Sequence, residues 1–351
     1  MLVTQQPVLR RFWYPIAPAA QLSDKPFPFT LLGENIVLWR DADGKAQCIL
    51  DRCCHRSAKL SKGWVQDGRI VCGYHGWEYD GTGQCVRIPQ MTERETMPGA
   101  RTPGFKVQEK YDYVWVTLSE EPLAGIPDLN EAEKPGYRQV HEFYEVWECA
   151  GLRLMENSFD NSHFSFVHRA SFGDQGHPEP AKLEIMDTPT GFRMLTEVPV
   201  RNPEVQKKNL GMDDDWTVRY MDSNWFLPFA RALRITYPNG LFHMIFTAAT
   251  PIDDERSMVC QFVVRNDTEA DASAEDIIAF DRMVTNEDRE ILESTEGDVP
   301  LEIGTREEIH MRSDRPGIVM RQKMKALLDA HGEEERRGEA PVALRKMIQR
   351  G

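Results

Sequence analysis

Two short Cys–His pairs constrain this chain more than any other feature. Cys53-Cys54-His55 and Cys72-Gly73-Tyr74-His75 give C-x-H, sixteen intervening residues, then C-x2-H. Asp67-Gly68 lies between the pairs and predicts a hairpin turn, which puts them on neighbouring loops of one β unit. Two thiolates and two imidazoles can hold a [2Fe–2S] cluster, with Cys53 and Cys72 on one iron and His55 and His75 on the other. Neutral imidazole ligands raise the potential, so such a cluster accepts an electron readily and passes it on. Gly73 and Gly76 leave room for backbone near the sulfides, and Trp77 is placed to shield one side. A structural zinc site uses the same ligand types, although C-x-H is not a common zinc-finger spacing. Cys54 reads as a packed thiol.

The remainder of the chain must fold around that unit. Its 351 residues are 41% hydrophobic, enough for one large core or two moderate ones, and two domains is the better expectation. There is no apolar run of 18 or more residues, so no membrane-spanning helix is expected. Met1–Phe12 lacks the apolar stretch of a signal peptide. The seven cysteines are odd in number and fit a reducing cytoplasm better than a disulfide scaffold. The net charge of −14 argues against nucleic acid and anionic membranes as partners. It fits a cationic substrate or a basic partner, though acidity is commoner as a plain solubility device.

Residues 1–145 read as mostly β. Short apolar runs at Phe29–Leu32, Ile36–Trp39, Cys48–Leu50, Ile70–Val71 and Tyr113–Leu118 are separated by Asp43-Gly44, Asp67-Gly68 and Asp80-Gly81 turns. This predicts an antiparallel sandwich or small barrel. Glu120–Tyr137 reads as a connection. Beyond it, Glu148–Val167 reads as helical. Strands are expected at Leu183–Met186, Phe192–Val198, Trp216–Met221, Ala232–Tyr237, Leu241–Thr250 and Met258–Arg265. Helices are expected at Ala272–Glu296 and Gly317–His331. A helix, a long antiparallel sheet and closing helices make an α+β domain over residues 146–351. Asp213–Asp215 and Glu333–Arg337 read as solvated charge runs.

A second constellation lies in that domain. Asn157, Asp160 and His163 are spaced by three, which puts them on one face if the helix is continuous. His168 is five residues after His163, about 140° round an ideal helix. For both histidines to reach one metal, the helix must bulge or end between them. Two histidines and one carboxylate leave open positions on Fe(II) for O2. The carboxylate must come from elsewhere. Ile277, Phe280, Val284, Ile291 and Leu292 form an apolar stripe with Asp288 in its middle, where a charge needs a cation or metal. Asp281 lies on the same stripe and is the rival. Read singly, these are ordinary helix histidines and a salt-bridged aspartate.

Taken together the motifs carry a resemblance. Arg52-Cys53-Cys54-His55-Arg56 with Cys72-Gly73-Tyr74-His75-Gly76-Trp77 resembles the Rieske signature of ring-hydroxylating oxygenases, which small Rieske ferredoxins share. The D-x2-H-x4-H pattern of Asp160, His163 and His168 resembles the catalytic iron motif of the same family. Asn286–Glu293 resembles its third-ligand helix, which places the ligand at Asp288. Phe12-Trp13-Tyr14-Pro15 and the chain length look like the compact oxygenases built of α subunits alone. That group includes dicamba and vanillate O-demethylases, caffeine N-demethylases and saxitoxin-pathway hydroxylases.

The resemblance implies a Rieske [2Fe–2S] domain over 1–145 and a helix-grip-like mononuclear iron domain over 146–351. It implies a homotrimer in which Asp160 bridges one subunit's cluster, through His75, to His163 of the next, with Asn157 beside the iron. It implies an oxygenase that uses O2 for C–H hydroxylation of a small, nitrogen-containing or cationic molecule, or for oxidative N- or O-demethylation. The chain has no G-x-G-x-x-G after a strand, so electrons must come from a separate NAD(P)H-dependent reductase, directly or through a ferredoxin. Two other classes remain open here: an electron carrier using only the cluster, and a binding protein with structural zinc. Candidate pocket residues lie on strands between Trp216 and Thr250 and on the helix near Asn157, with Met221, Trp225, Phe229 and Phe246 as apolar candidates, although apolar residues at strand spacing are more often plain core.

Overall fold

The computed structural model describes residues 1–92 and 97–350. They divide into a unit of Leu9–Ile126 and a unit of Met1–Val8 with Pro127–Gly351. No described helix is long and apolar enough to cross a membrane, and the seven cysteines are all free.

Among its described residues the smaller unit has ten short strands: β1 (Tyr14–Pro18), β2 (Phe27–Leu31), β3 (Glu34–Arg40), β4 (Ala46–Leu50), β5 (Trp64–Gln66), β6 (Arg69–Val71), β7 (Glu78–Tyr79), β8 (Cys85–Arg87), β9 (Lys106–Lys110) and β10 (Tyr113–Thr117). They form three antiparallel sheets, β1-β10-β9, β2-β3-β4 and β5-β6-β7-β8. The Asp67-Gly68 turn joins β5 to β6, with φ of 51° and 73°. A Cβ on Gly68 would lie 2.2 Å from the Ala42 amide nitrogen, so the turn needs glycine for both conformation and space. Val37, Trp39, Ile49, Leu60, Ile70 and Tyr79 pack into one core, and that core supports the two Cys–His loops.

The larger unit is built on one antiparallel sheet of seven strands, ordered β11-β17-β16-β15-β14-β13-β12. These are β11 (Arg138–Trp147), β12 (Leu183–Thr188), β13 (Gly191–Arg201), β14 (Trp216–Phe226), β15 (Ala230–Thr236), β16 (Phe242–Pro251) and β17 (Ser257–Arg265). Among the described residues six α-helices accompany it: α1 (Gly151–Ser158), α2 (Phe164–Val167), α3 (Glu204–Leu210), α4 (Ala274–Leu292), α5 (Arg315–Ala330) and α6 (Val342–Arg350). Helix α4 contains no Gly or Pro. It starts at a Ser273 cap that accepts from the Asp276 N–H at 3.1 Å, and Glu275 and Asp276 complement the dipole of its first turn.

Several features differ from the sequence reading, among them helix α6 in what reads as a charged tail. Strand β11 pairs with β17 and belongs to this sheet, so the sheet starts ahead of residue 146; a bulge between His141 and Phe143 breaks the alternation that would reveal it. Strand β14 runs on through Asp222-Ser223-Asn224 because Arg193 on β13 pairs with Asp222 at 2.7 Å. Helix α3, only seven residues between Pro203 and Gly211, is too short to show a period. The stretch Glu148–Val167 is not one helix. Helix α1 ends at Ser158, and α2 is a single turn from Phe164 to Val167.

Candidate metal centres

In the smaller unit the two Cys–His pairs occupy two clamped loops. Between β4 and β5, the Cys53 N–H donates to Ala58 O (2.8 Å) and the Ser57 N–H to Cys53 O (3.0 Å). Between β6 and β7, the Cys72 N–H donates to Trp77 O and the Gly76 N–H to Cys72 O, both at 2.9 Å. Gly76 has φ of 73°. The loops bring His55 Nδ1 and His75 Nδ1 to 3.2 Å. Cys53 and Cys72 are buried, whereas the two imidazoles are partly exposed. Trp77 stacks on His55 at 4.6 Å and 3°.

Burial pushes the Cys72 thiol up, while the Tyr74 and His75 amides draw it down by donating to its sulfur. Tyr79 Oη lies 3.0 Å from Cys53 Sγ and 3.2 Å from Cys54 Sγ. Buried sulfurs on one side and two converging imidazole nitrogens on the other suit a [2Fe–2S] cluster whose histidine iron faces outward.

In the larger unit the polar run after α1 breaks the helix. The Asp160 carboxylate accepts from the Ser162 N–H at 2.7 Å, the local bonding by which aspartate competes with helical backbone. Asn157, Asp160 and His163 therefore do not share a helix face. His163 and His168 instead flank the single turn of α2 as its two caps, and this reconciles their five-residue spacing. A Cβ on Gly173 would meet Phe164 O at 2.1 Å and the His168 carbonyl at 2.9 Å, so that return of the chain requires glycine.

Asp288 reaches the same point from α4. The His163 and His168 Nε2 atoms are 3.2 Å apart, and each is 3.4 Å from Asp288 Oδ1. Three bonds of about 2.2 Å at right angles end about 3.1 Å apart, so this triangle suits one face of an octahedral ion. Burial opposes protonation of His163, but Asp160 and Asp288 outweigh it and lift the imidazole to about 9. The carboxylates on either side thus favour positive charge at this point.

The surroundings of the triad are defined. Asn157 Nδ2 donates to Asp288 Oδ1 at 3.0 Å. Glu287 Oε2 accepts from His168 Nδ1 at 2.9 Å and from Ser171 Oγ at 2.7 Å. Asp160 Oδ2 lies 3.6 Å from His163 Nδ1, an ion-pair distance that leaves His163 Nδ1 without a hydrogen bond among the described residues. Asp281, the rival carboxylate, faces Glu142 and His243 instead. Ile291, assigned to the buried stripe, is 50% exposed.

Beside the triad lies a cavity of about 110 Å³ lined from α1, α2, α4 and the inner face of β14–β17. Met221 lines it, but Trp225, Phe229 and Phe246 do not; they are buried in the core behind. Arg219 and Arg231 also line it.

Both parts of the chain match known domain families. Residues 12–106 match the Rieske [2Fe-2S] domain, and residues 147–330 match the vanillate O-demethylase oxygenase C-terminal domain. The chain is a Rieske non-haem iron oxygenase. It is 29% identical to methylxanthine N1-demethylase NdmA of Pseudomonas putida over 93% of this chain and 91% of that one. It is 30% identical to methylxanthine N3-demethylase NdmB of the same species with the same coverage. A solved structure of an NdmA mutant with caffeine superposes with a TM-score of 0.80 at 27% identity, covering 93% of this chain and 92% of that one.

A Rieske oxygenase carries the [2Fe–2S] cluster and a mononuclear iron, so the zinc and electron-carrier alternatives fall away. Several polar residues of this oxygenase's larger unit escape a sequence reading. Glu287 sits one position before Asp288, and nothing in the helical wheel marks it. Arg219 did leave a signal: it shares the inward phase of β14 with Met221 and Trp225.

Proposed function

We propose that this oxygenase oxidises a methyl C–H bond carried on a nitrogen or oxygen of a small molecule held in the cavity beside the triad. This reading rests on one observation: the His163–His168–Asp288 triangle opens onto a cavity lined by both apolar and polar side chains. The full-length similarity to two N-demethylases and the match to an O-demethylase domain support loss of a methyl group. Hydroxylation at a ring or alkyl carbon shares the same C–H step.

Cys53, His55, Cys72 and His75 would hold the cluster, which would supply electrons, and His163, His168 and Asp288 would hold the iron, which would activate O2. The other residues prepare the site. Asn157 fixes the Asp288 carboxylate, and Glu287 fixes the His168 ring and its tautomer. Phe164 and Phe172 pack against His168 and exclude water from that side. One oxygen atom enters the methyl group, the other leaves as water with two electrons and two protons, and the hydroxymethyl product releases formaldehyde. The electrons come from a separate NAD(P)H-dependent reductase, directly or through a ferredoxin. The assembly we propose is a homotrimer with Asp160 between the cluster of one subunit and the iron of the next.

A substrate screen with a surrogate reductase tests the reading, scoring formaldehyde and hydroxylated products against O2 uptake. Formaldehyde in proportion to O2 supports demethylation. Hydroxylated product without formaldehyde moves the assignment to the hydroxylase reading. No substrate-dependent O2 uptake by fully iron-loaded, reducible protein across N-methyl, O-methyl and unmethylated compounds overturns both.

A further inference from the structure

The sheet beneath the cavity carries a row of polar side chains that the chemistry above does not use. Arg231 on β15 stands opposite Thr247 on β16, and Thr247 stands opposite Gln261 on β17. All three line the cavity. The next position in the row, on β11, falls at the bulge between His141 and Phe143. A bulge can re-aim a side chain, and here Glu142 is turned inward and buried. Arg231 Nε donates to Thr247 Oγ1 at 3.4 Å, Thr247 Oγ1 to Gln261 Oε1 at 2.8 Å, and Gln261 Nε2 to Glu142 Oε2 at 2.7 Å. Every hydrogen points the same way, from the guanidinium to the carboxyl, so each bond polarises the next. Thr247 and Gln261 are buried too, and breaking the row would leave costly unpaired groups there.

Arg231 is the end of the row that meets the iron site. Its Nη1 donates at 3.1 Å to Ser158 O, and Ser158 is the last residue of α1. That helix has only eight residues and no side-chain cap at its N-terminus, so little within it secures its end. Glu156 O and Asn157 O accept from the Phe159 and Asp160 N–H groups at 3.2 and 3.1 Å. Ser158 O has Arg231 instead, a cation at the negative end of the helix dipole. One residue earlier, Asn157 Nδ2 donates to Asp288 Oδ1 at 3.0 Å. Arg231, Ser158, Asn157 and Asp288 therefore form one line of contacts from the sheet to a carboxylate of the triad.

From this arrangement we infer that Arg231 is a positioning residue for the iron site. Anchored by Thr247, Gln261 and Glu142, it fixes the end of α1 and so keeps Asn157 on the Asp288 carboxylate. An aspartate carboxylate turns freely about its last torsion and can offer a metal one oxygen or two. The Asn157 hydrogen bond sets which way it is turned, as hydrogen bonds to ligand groups do, and it can do so only while the end of α1 stays in place. Released from Arg231, the last turn frays and Asn157 moves with it. The row acts through the backbone of α1 and need not touch the metal. The inference rests on the reading in which His163, His168 and Asp288 hold the iron.

Removing Arg231 has two effects of opposite sign on metal affinity: it loosens Asn157, and it relieves repulsion between the guanidinium and a bound cation. A double-mutant cycle separates them, because the charge effect is the same with or without Asn157. Fe(II) affinity is measured by anaerobic chelator competition on cluster-loaded wild type, Arg231→Met, Asn157→Ala and the double variant, with circular dichroism as the check on folding. The affinity change caused by Arg231→Met should be less favourable, by at least ~5-fold, when Asn157 is present than when it is absent. Thr247→Val keeps the shape and the Arg231 charge but removes the anchor, and should weaken Fe(II) roughly 2- to 5-fold; it carries the test if Arg231→Met does not fold. Co(II) bound in place of Fe(II) supplies a spectroscopic signature. Its d–d bands should shift alike in Arg231→Met and Asn157→Ala, and no further in the double variant. Effects additive within about twofold, d–d bands unmoved in Arg231→Met, or wild-type affinity in Thr247→Val each overturn the inference. Failure of the iron-site reading looks different. Wild type that takes up no Fe(II) beyond its cluster, or Asp288→Ala that binds it as tightly as wild type, sinks that reading and this inference with it; normal loading with additive variants sinks this inference alone.

Discussion

Replacing Glu287 by Gln tests how much of the iron site depends on residues that do not touch the metal. The carboxylate accepts from His168 Nδ1 at 2.9 Å and from Ser171 Oγ at 2.7 Å, and its side chain is only 16% exposed. Metal binding at Nε2 makes the Nδ1–H more acidic, so this bond is charge-assisted and strengthens when the ion is present. Gln keeps the shape and one acceptor but loses the charge. A charged hydrogen bond contributes about 1.5–3 kcal/mol, and Gln retains part of it. The expected loss is about 1–2 kcal/mol, roughly 5- to 30-fold in Fe(II) affinity. Competition with a coloured Fe(II) chelator under anaerobic conditions reads this directly. Cluster absorbance serves as an internal measure of folding, and Glu290→Gln, an exposed change on the same helix, is the control. Fe(II) affinity within about twofold of wild type in folded Glu287→Gln would refute the role given to this carboxylate.

Three further outcomes are expected. His75→Cys should alter or abolish the Rieske EPR signal while the chain stays folded, and an unchanged signal removes His75 from the ligand set. Asp160→Asn should keep a trimer on sizing and most of both metals, yet slow substrate-dependent reoxidation of the cluster by O2 in stopped-flow absorbance; wild-type rates exclude the bridging role. Burial opposes ionisation of Glu308, but Arg153 and Arg321 outweigh it and hold the carboxyl at about 2, against 4.5 unperturbed. Its contribution is therefore present above pH 4.5 and lost as pH falls towards 2. Glu308→Gln should cost about 1–2 kcal/mol in urea unfolding at pH 7, after allowance for a side chain 29% exposed, and the difference from wild type should shrink below pH 4.5. A constant difference down to pH 3 contradicts that reading.

The cluster loops were legible because four donors fall within 23 residues around a recognisable turn, and local turn chemistry needs no tertiary context. The histidines of the triad were legible as a pair, but the helix break was misplaced. Asp160 and Ser162 bond locally and end the helical path before His163, not after it. Asp288 stood out as a carboxylate in an apolar stripe, whereas Asp281 looked equivalent. Only the fold separates them, because α4 turns one towards α2 and the other towards Glu142 on β11. The same limit applies to the pocket. Alternation along β14 assigns Met221 and Trp225 to one face, but the curl of the sheet decides that Met221 meets the cavity and Trp225 the core. Arg219 shares that phase, and a charged side chain among inward positions was the signal for the polar end of the cavity.

If one chain holds two separate iron centres and Asp288 serves only one of them, the metals should be separable by a single substitution. Iron and acid-labile sulfide analysis of anaerobically reconstituted wild type and Asp288→Ala tests it most directly, with EPR on both. The wild type should hold about three irons and two sulfides per chain, and the variant about two and two, with the reduced cluster signal unchanged. Two irons in the wild type, or an Asp288→Ala variant that keeps its third iron, would contradict it.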